Sequence, residues 1–356
     1  MSFTAPLRDR ALRLVELATT PLVPGDYLDL VIPLRAGGGL RGRIVSVHPE
    51  TDDAVTLVIR PGRAWRQHAP GQYVRIAVDV DGVRHWRSYS LTSATGRADA
   101  CISITVKAVP DGIVSNHLVR RARPGLFVEM DQAAGDFVLP ASAPPKVLFV
   151  TAGSGITPVM GMLRSAANIL DDVVVVHSAP TGHDVIFGDE LRRLAATGTV
   201  RLVEQHTTVD GRLSAQDLAR LVPDLARRET WACGPSGLLD ELEEDFAARG
   251  IAGQLHTERF RTSVLVTGDG GTATFAGSGT VVDADGATSL LDAGEAAGVL
   301  MPSGCRMGIC FGCVVPLREG AVRDLRSGDV TVAAPGDGVL IQTCVSAVAG
   351  TCHIGL

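Results

Sequence analysis

No uninterrupted apolar run reaches the roughly 18 residues a helix needs to cross a bilayer, so a spanning helix is not expected. Arg8, Arg10 and Arg13 stand near the start, but no apolar core follows them, so a secretory signal is not expected either. Cysteine is scarce and uneven, seven in 356 residues, which does not read as a disulfide framework and fits a reduced, cytoplasmic thiol population. Aromatics make up only 4% of the chain while glycine numbers 40, pointing to many tight turns and close backbone approaches. There is no basic stripe, so nucleic acid is not an expected partner. The net charge of −6 is divided as +3 over residues 1–140, −5 over 141–270 and −4 over 271–356, suggesting distinct domains. A hydrophobic content of 46% is enough for sizeable cores, and the length suits two or three domains.

Leu7, Ala11, Leu14, Val15 and Ala18 recur at helical spacing. A short helix packed on the first domain accounts for this; a surface meeting a membrane or partner is the other reading. Residues 1–39 form an N-terminal extension. From 40 to 140, "GRIVSVHPETDDAVTLVIRPG", "GQYVRIAVDV" and "CISITVKAV" are short alternating strands broken by Gly and Pro, which predicts an antiparallel barrel. From 141 to 265, "KVLFV", "DVVVVHS", "TVRLVEQH" and "ETWAC" alternate with helical stretches, predicting a parallel, helix-covered α/β sheet. "VTGDGG" at 266–271 reads as a flexible joint. Residues 272–356 carry strands ("TATF", "GTVVDA", "VLIQTCVSAV") around one helix, which Ser289 and Asp292 start at capping-box spacing.

"CRMGICFGC" places Cys305, Cys310 and Cys313 at the spacing C-x4-C-x2-C, and Cys344 follows 31 positions later. That is the plant-type [2Fe–2S] arrangement, in which four thiolates hold the cluster. Gly304, Gly308 and Gly312 interleave them and let the loop fold tightly. A zinc site is the alternative, but zinc usually takes two close pairs of ligands. Cys101, Cys233 and Cys352 lie outside the pattern and read as small buried side chains.

A cluster moves single electrons and a nicotinamide delivers a hydride, so a flavin is expected between them. In "RSYSLTS", Arg87, Tyr89 and Leu91 alternate with Ser88, Ser90 and Thr92, offering a cation for a diphosphate and an aromatic for a ring system. "DGIVSNHL" resembles a turn into a helix, capped by Ser115, whose N-terminus would receive phosphate oxygens. "VLFVTAGSGITPVMGML" ends a strand in Gly153-Ser154-Gly155 and opens a helix at Pro158, a phosphate-approaching turn without the G-x-G-x-x-G pattern. "ETWACGPSGLLDEL" repeats this logic at Cys233, Gly234 and Pro235; the Cys233 thiol faces either a ligand crevice or the core.

"RSYS", "GIVS", "AGSGITP" and "CGPSG", in this order, resemble the ferredoxin–NADP reductase superfamily, and the C-terminal segment resembles a plant-type ferredoxin. With "LVPGDYLDLVIPL" before the barrel, the whole chain is similar to the flavin reductases that serve membrane acyl-CoA (stearoyl-type) desaturases. The resemblance implies a multidomain fold: a flavin-binding antiparallel β-barrel, a nucleotide-binding α/β parallel sheet and a β-grasp ferredoxin. It implies FAD rather than FMN, with Arg87 on the pyrophosphate, Tyr89 near the isoalloxazine, Ser88 beside them and Ser90 close to N5. The strand end Ile104, Thr105 and Val106 and the turn Ile113, Val114 and Ser115 would hold the rest of the flavin. Gly153, Ser154, Gly155, Thr157, Pro158, Cys233, Gly234 and Pro235 would line the nicotinamide nucleotide, and Glu258 and Phe260 belong to the closing segment. "VVVVHSAPTGHD" lacks both the arginine of many NADPH users and the carboxylate that favours NADH; Ser178, Thr181 and His183 suit a 2′-phosphate, so NADPH is expected, with NADH the alternative. The implied path runs from NAD(P)H through FAD and the cluster to a membrane acyl-CoA desaturase, at the cytoplasmic face of the membrane. The alternatives are the reductase of a soluble mono- or dioxygenase and a redox-sensing module. No general acid–base pair is needed, and no residue is nominated for one.

Overall fold

The structure is a computed structural model that describes residues 34, 39–110, 112–140, 142–166, 169–260, 267–304, 306, 308 and 311–356. The helix expected over 5–18, most of "LVPGDYLDLVIPL", and the ligands Cys305 and Cys310 lie outside the described residues.

The first sheet runs β4-β3-β6-β1-β2-β5 and is antiparallel throughout. Its strands are β1 (Arg41–Thr51), β2 (Ala54–Pro61), β3 (Tyr73–Val80), β4 (Val83–Ser90), β5 (Ile102–Lys107) and β6 (Phe127–Met130). The Leu91–Ile104 bridge brings its two edge strands together, closing the barrel. Alternation puts Leu57, Ile59, Val74, Ile76, Ile104 and Val106 in one core, each 0% exposed. Helix α1 (Ile113–Arg121) covers it with Val114 and Leu118.

The second sheet, β11-β10-β7-β8-β9, is wholly parallel. Its strands are β7 (Lys146–Ala152), β8 (Asp172–Ala179), β9 (Arg201–His206), β10 (Glu229–Cys233) and β11 (Leu255–Glu258). Continuous apolar runs arise because both faces are covered. Val147, Phe149, Val173 and Val175 pack toward α2 (Ile156–Ala166), while Leu148, Val150, Val174 and Val176 pack with the layer holding α4 (Ala215–Leu221) and α5 (Ser236–Ala248). Helix α3 (Gly188–Ala196) follows β8. Arg228 is only 5% exposed and ties Asp172 at 2.9 Å and Asp224 at 2.9 Å beneath the sheet. The sheet docks on the barrel through α2. A Cβ on Gly161 would lie 2.2 Å from the Leu91 carbonyl, and Arg164 donates to the Thr92 carbonyl at 2.8 Å.

The third sheet runs β13-β12-β17-β14-β15, with β16 on β14; β12 and β17 are parallel. Its strands are β12 (Gly268–Phe275), β13 (Thr280–Gly286), β14 (Val314–Asp324), β15 (Val330–Ala333), β16 (Leu340–Gln342) and β17 (Ser346–Ile354). Helix α6 (Leu290–Ala296) crosses it, and Ser289 caps the helix by accepting from the Asp292 amide at 3.1 Å. Two expectations are corrected. Residues 268–271 are strand rather than joint: Gly270 and Gly271 pair with Ala349 and Gly350, and a Cβ on Gly271 would lie 1.9 Å from the Gly350 carbonyl. "VLIQTCVSAV" is not one strand; it breaks between β16 and β17, and Cys344 sits in the break. Among the described residues no helix is long and apolar enough to cross a membrane.

Candidate functional site

In the parallel sheet β8 and β9 lie on one side of β7 and β10 and β11 on the other, so chain order reverses between β7 and β10. A crevice at the strand carboxyl ends is expected at such a point. Both glycine turns open there. Gly153 takes a left-handed φ of 54°, and Gly155 packs so closely that a Cβ would lie 2.0 Å from the Cys233 carbonyl. Thr157 donates to the Ser154 carbonyl at 2.9 Å, and Pro158 is buried in the first turn of α2. Cys233 is fully buried with Phe149 and Trp231, so its thiol belongs to the core, and burial pushes that thiol well up from its ordinary pKa.

A cavity of about 640 Å³ opens from this crevice to the barrel and to the third domain. From the barrel come Arg87, Ser88, Tyr89 and Ser90 of β4 and Thr105 of β5. Ile104 and Val106 do not reach it; strand alternation turns them into the barrel core, both 0% exposed. Ile113, Val114 and Ser115 line it from the start of α1. Ser115 is not the cap of that helix. Gly112 takes the cap position, and the Ser115 hydroxyl donates to the Gly112 carbonyl at 3.3 Å and accepts from the Val109 amide at 3.2 Å. From the parallel sheet come Ser154, Thr157, Glu258 and Phe260. Gly153, Gly155, Pro158, Cys233, Gly234 and Pro235 shape the crevice without lining the cavity.

Ser88 Oγ and Ser90 Oγ are buried without hydrogen-bond partners, although buried hydroxyls normally have one. Glu258 Oε2 is likewise unpartnered, and burial raises this carboxyl to about 8. Burial, and then the neighbouring Arg306, lower the pKa of the Arg87 guanidinium, so an anion bound beside it would be favoured. Burial also raises the Tyr89 hydroxyl, keeping it neutral. A cation, an aromatic ring, two orphaned hydroxyls and a helix N-terminus therefore surround one space, and they fit a flavin dinucleotide.

The third domain contributes Ser289, Asp292, Glu295, Arg306 and Cys344 to the same cavity. Arg306 donates to Asp292 at 2.9 Å and pairs with Glu295. The Cys313 and Cys344 sulfurs stand 3.2 Å apart, both buried. This is too long for a disulfide of about 2.05 Å, yet close enough to converge on one metal. Gly308, at φ 75°, accepts from Gln342 at 2.9 Å and holds the loop beside them. The thiol pair and this loop fit an iron–sulfur cluster.

Tyr73, Lys107, Ser289, Asp292, Glu295 and Arg306 line the cavity but were not singled out from the sequence as site residues. Lys107 had a signal, standing two places beyond Thr105 on one strand face. Arg306 directly follows Cys305. The α6 carboxylates had none.

Residues 44–139 match the oxidoreductase FAD-binding domain family, 149–244 the oxidoreductase NAD-binding domain family, and 273–349 the 2Fe-2S iron-sulfur cluster binding domain family. The chain is 50% identical over 345 residues to the NADPH oxidoreductase of Mycobacterium tuberculosis strain H37Rv, covering 95% of this chain and 90% of that protein. It is 34% identical over 337 residues to the ferredoxin reductase component of 3-ketosteroid-9-alpha-monooxygenase from the same strain, covering 85% and 92%. Phthalate dioxygenase reductase, a solved structure, shares the fold with a TM-score of 0.62 at 23% identity, over 90% of this chain and 98% of that one. The chain belongs to the family of NAD(P)H oxidoreductases that join FAD-, NAD- and 2Fe-2S-binding domains and pass electrons from the nicotinamide through FAD to the cluster.

Proposed function

We propose that the chain is the NADPH-dependent reductase of a membrane acyl-CoA desaturase, working at the cytoplasmic face of the membrane. The observation that carries the electron path is the shared cavity, which takes Arg87, Ser90, Ser154, Glu258 and Cys344 from three domains. Arg87 and the α1 turn at Ile113, Val114 and Ser115 bind the FAD diphosphate, Tyr89 lies along the ring system, and Ser88, Ser90 and Thr105 meet its polar edge. Strand positions Ile104 and Val106 hold Thr105 in place from the core side. Gly153 to Pro158 and Cys233 to Pro235 form the nicotinamide crevice, which Glu258 and Phe260 close. Cys305, Cys310, Cys313 and Cys344 hold the cluster. FAD supplies the conversion between a two-electron and a one-electron carrier. The chain's own part is to hold the three groups in line and exclude water between them. NADPH is the proposed donor, although Thr181 donates its hydroxyl to Asp184 at 2.6 Å, leaving Ser178 and His183 for the 2′-phosphate.

The desaturase reading is supported by resemblance along the whole chain, the N-terminal segment included. Delivery to a soluble oxygenase is a second reading, favoured by relatives whose names make them reductase components of monooxygenases, such as a glycine betaine monooxygenase reductase subunit at 28% identity. Reconstitution decides between them. NADPH-dependent double-bond formation with a membrane desaturase is the expected result. Turnover of a soluble oxygenase with no desaturase supported would overturn it.

A further inference from the structure

A second cavity, of about 610 Å³, lies between the β1–β2 hairpin and the parallel-sheet domain, and Glu50 lines it. A row of oxygen atoms across the barrel wall connects this cavity with the first one. Thr56 pairs directly with Thr105 in the β2–β5 register, and Thr105 lines the first cavity. Thr56 Oγ1 donates to Glu50 Oε1 at 2.6 Å and lies 2.7 Å from Thr105 Oγ1. A threonine hydroxyl has one hydrogen, and that of Thr56 goes to the carboxylate, so Thr105 is the donor to Thr56. Both threonines are only 5% exposed. The row therefore has one direction, from the first cavity outward to Glu50.

The established reaction leaves one proton to dispose of. NAD(P)H supplies two electrons and one proton as hydride, NAD(P)⁺ departs, and the cluster carries away electrons only. We propose that Thr105, Thr56 and Glu50 carry that proton out of the flavin cavity. Thr105 Oγ1 takes it while passing its own hydrogen to Thr56, Thr56 passes its hydrogen to the Glu50 carboxylate, and the carboxyl releases a proton to water in the second cavity. No bond other than O–H forms or breaks, and charge balances at every step. The relay rests on the first cavity being the flavin site.

The surroundings of Glu50 suit the role. Burial raises its carboxyl from 4.5, while Thr56, Arg164 and the Phe187 backbone pull it back and Glu190 adds to the rise. Arg164 and Glu190 bind each other at 2.6 Å. His48, His183, Asp189, Arg192 and Arg193 face the same cavity. A carboxyl raised above its ordinary value accepts a proton more readily than an unshifted one.

The test uses full-length holoenzyme mixed with limiting NADPH and an excess one-electron acceptor in weak buffer containing a pH indicator. Thr56→Val, which keeps shape and loses the hydroxyl, is expected to delay proton release on the order of 10²-fold, the lower range for positioned proton transfer. Thr56→Ser is expected to restore it. Redox-difference infrared spectra are expected to show a transient protonated-carboxyl band that Glu50→Gln abolishes. Wild-type proton release in Thr56→Val, or a band surviving in Glu50→Gln, would overturn the relay. Failure of the cavity assignment shows separately: Arg87→Ala and Ser90→Ala, outside the row, would then leave flavin content and absorption unchanged, and the relay would fall with it.

Discussion

At the carboxyl ends of β7 and β10 the backbone itself makes the crevice, with Gly155 seated against the Cys233 carbonyl, Gly234 against Ala152, and the sheet packed on both faces. The cluster loop is held by side chains instead: two thiols 3.2 Å apart, a guanidinium between two carboxylates, and one glutamine on a carbonyl. Its conformation is also less comfortable. Arg306 and Phe311 have φ of 60° and 55°, a left-handed region costing side chains about 1–2 kcal/mol per residue. Such backbone persists only where its surroundings hold it. Asp292 and Glu295 do this for Arg306, while Phe311 is 68% exposed and its carbonyl accepts from the Val314 amide at 3.3 Å. The nucleotide crevice thus rests on backbone packing, whereas the described part of the cluster loop rests on side-chain contacts.

The sharpest break of this contrast is Cys344→Ser. Iron and acid-labile sulfide are expected to fall to background and protein-acceptor reduction to be lost, while NADPH–ferricyanide turnover continues through the first two domains. Cys352→Ser, in the core of β17 and 0% exposed, is expected to keep its iron.

Gly155→Ala attacks the other side. The new Cβ meets the Cys233 carbonyl at 2.0 Å, so the turn must move. A loss of about 1–3 kcal/mol in stability, read by thermal unfolding, should accompany a raised KM for NADPH, with cluster content unchanged. Equal damage to both sites would contradict their separate construction.

A smaller effect concerns Glu258. Its folded carboxyl is raised from 4.5 to about 8 by burial, so the folded chain holds this proton more tightly than the unfolded one. That contribution is present in full below 4.5 and is lost as pH rises toward 8. In flavin-free protein the unfolding midpoint is expected to fall across this window and Glu258→Gln to flatten the slope; an unchanged slope in the variant would assign it to another group.

The smallest expected effect is electrostatic steering by the acidic cluster domain, net −4 over residues 271–356. Asp324 is paired with Arg326 at 2.6 Å, while Asp337 accepts from the Ala334 amide at 2.8 Å and keeps its charge. Electron transfer to the acceptor should slow severalfold as salt rises to physiological strength, where charges are screened over about 8 Å. Ferricyanide turnover should change less, and identical salt curves would remove steering.

Much of this was legible along the chain. Period-two alternation in "GQYVRIAVDV" and the apolar run "DVVVVHS" mark an antiparallel and a parallel strand because one has a single buried face and the other two. The thiol spacing names its ligand because metal coordination restricts both residue type and reach. Strand β14 was not legible: "VVPLREGAVRD" mixes charge and glycine along 11 residues, and pairing with β15, β16 and β17 decides its conformation. Ser115 misled for a similar reason, since a serine near a helix start serves equally as cap or first-turn brace, and only the Gly112 backbone settles which.

The sequence by itself determined the three domain types and the chemistry of each ligand set, because side-chain periodicity, turn glycines and thiol spacing act over a few residues. Only the tertiary structure decided that Arg87 and Arg306 face one cavity, that Thr105 faces it while Ile104 and Val106 do not, and that Thr56 joins Thr105 to Glu50. These meetings depend on how separately folded sheets pack and on cross-strand register, which local patterns do not encode.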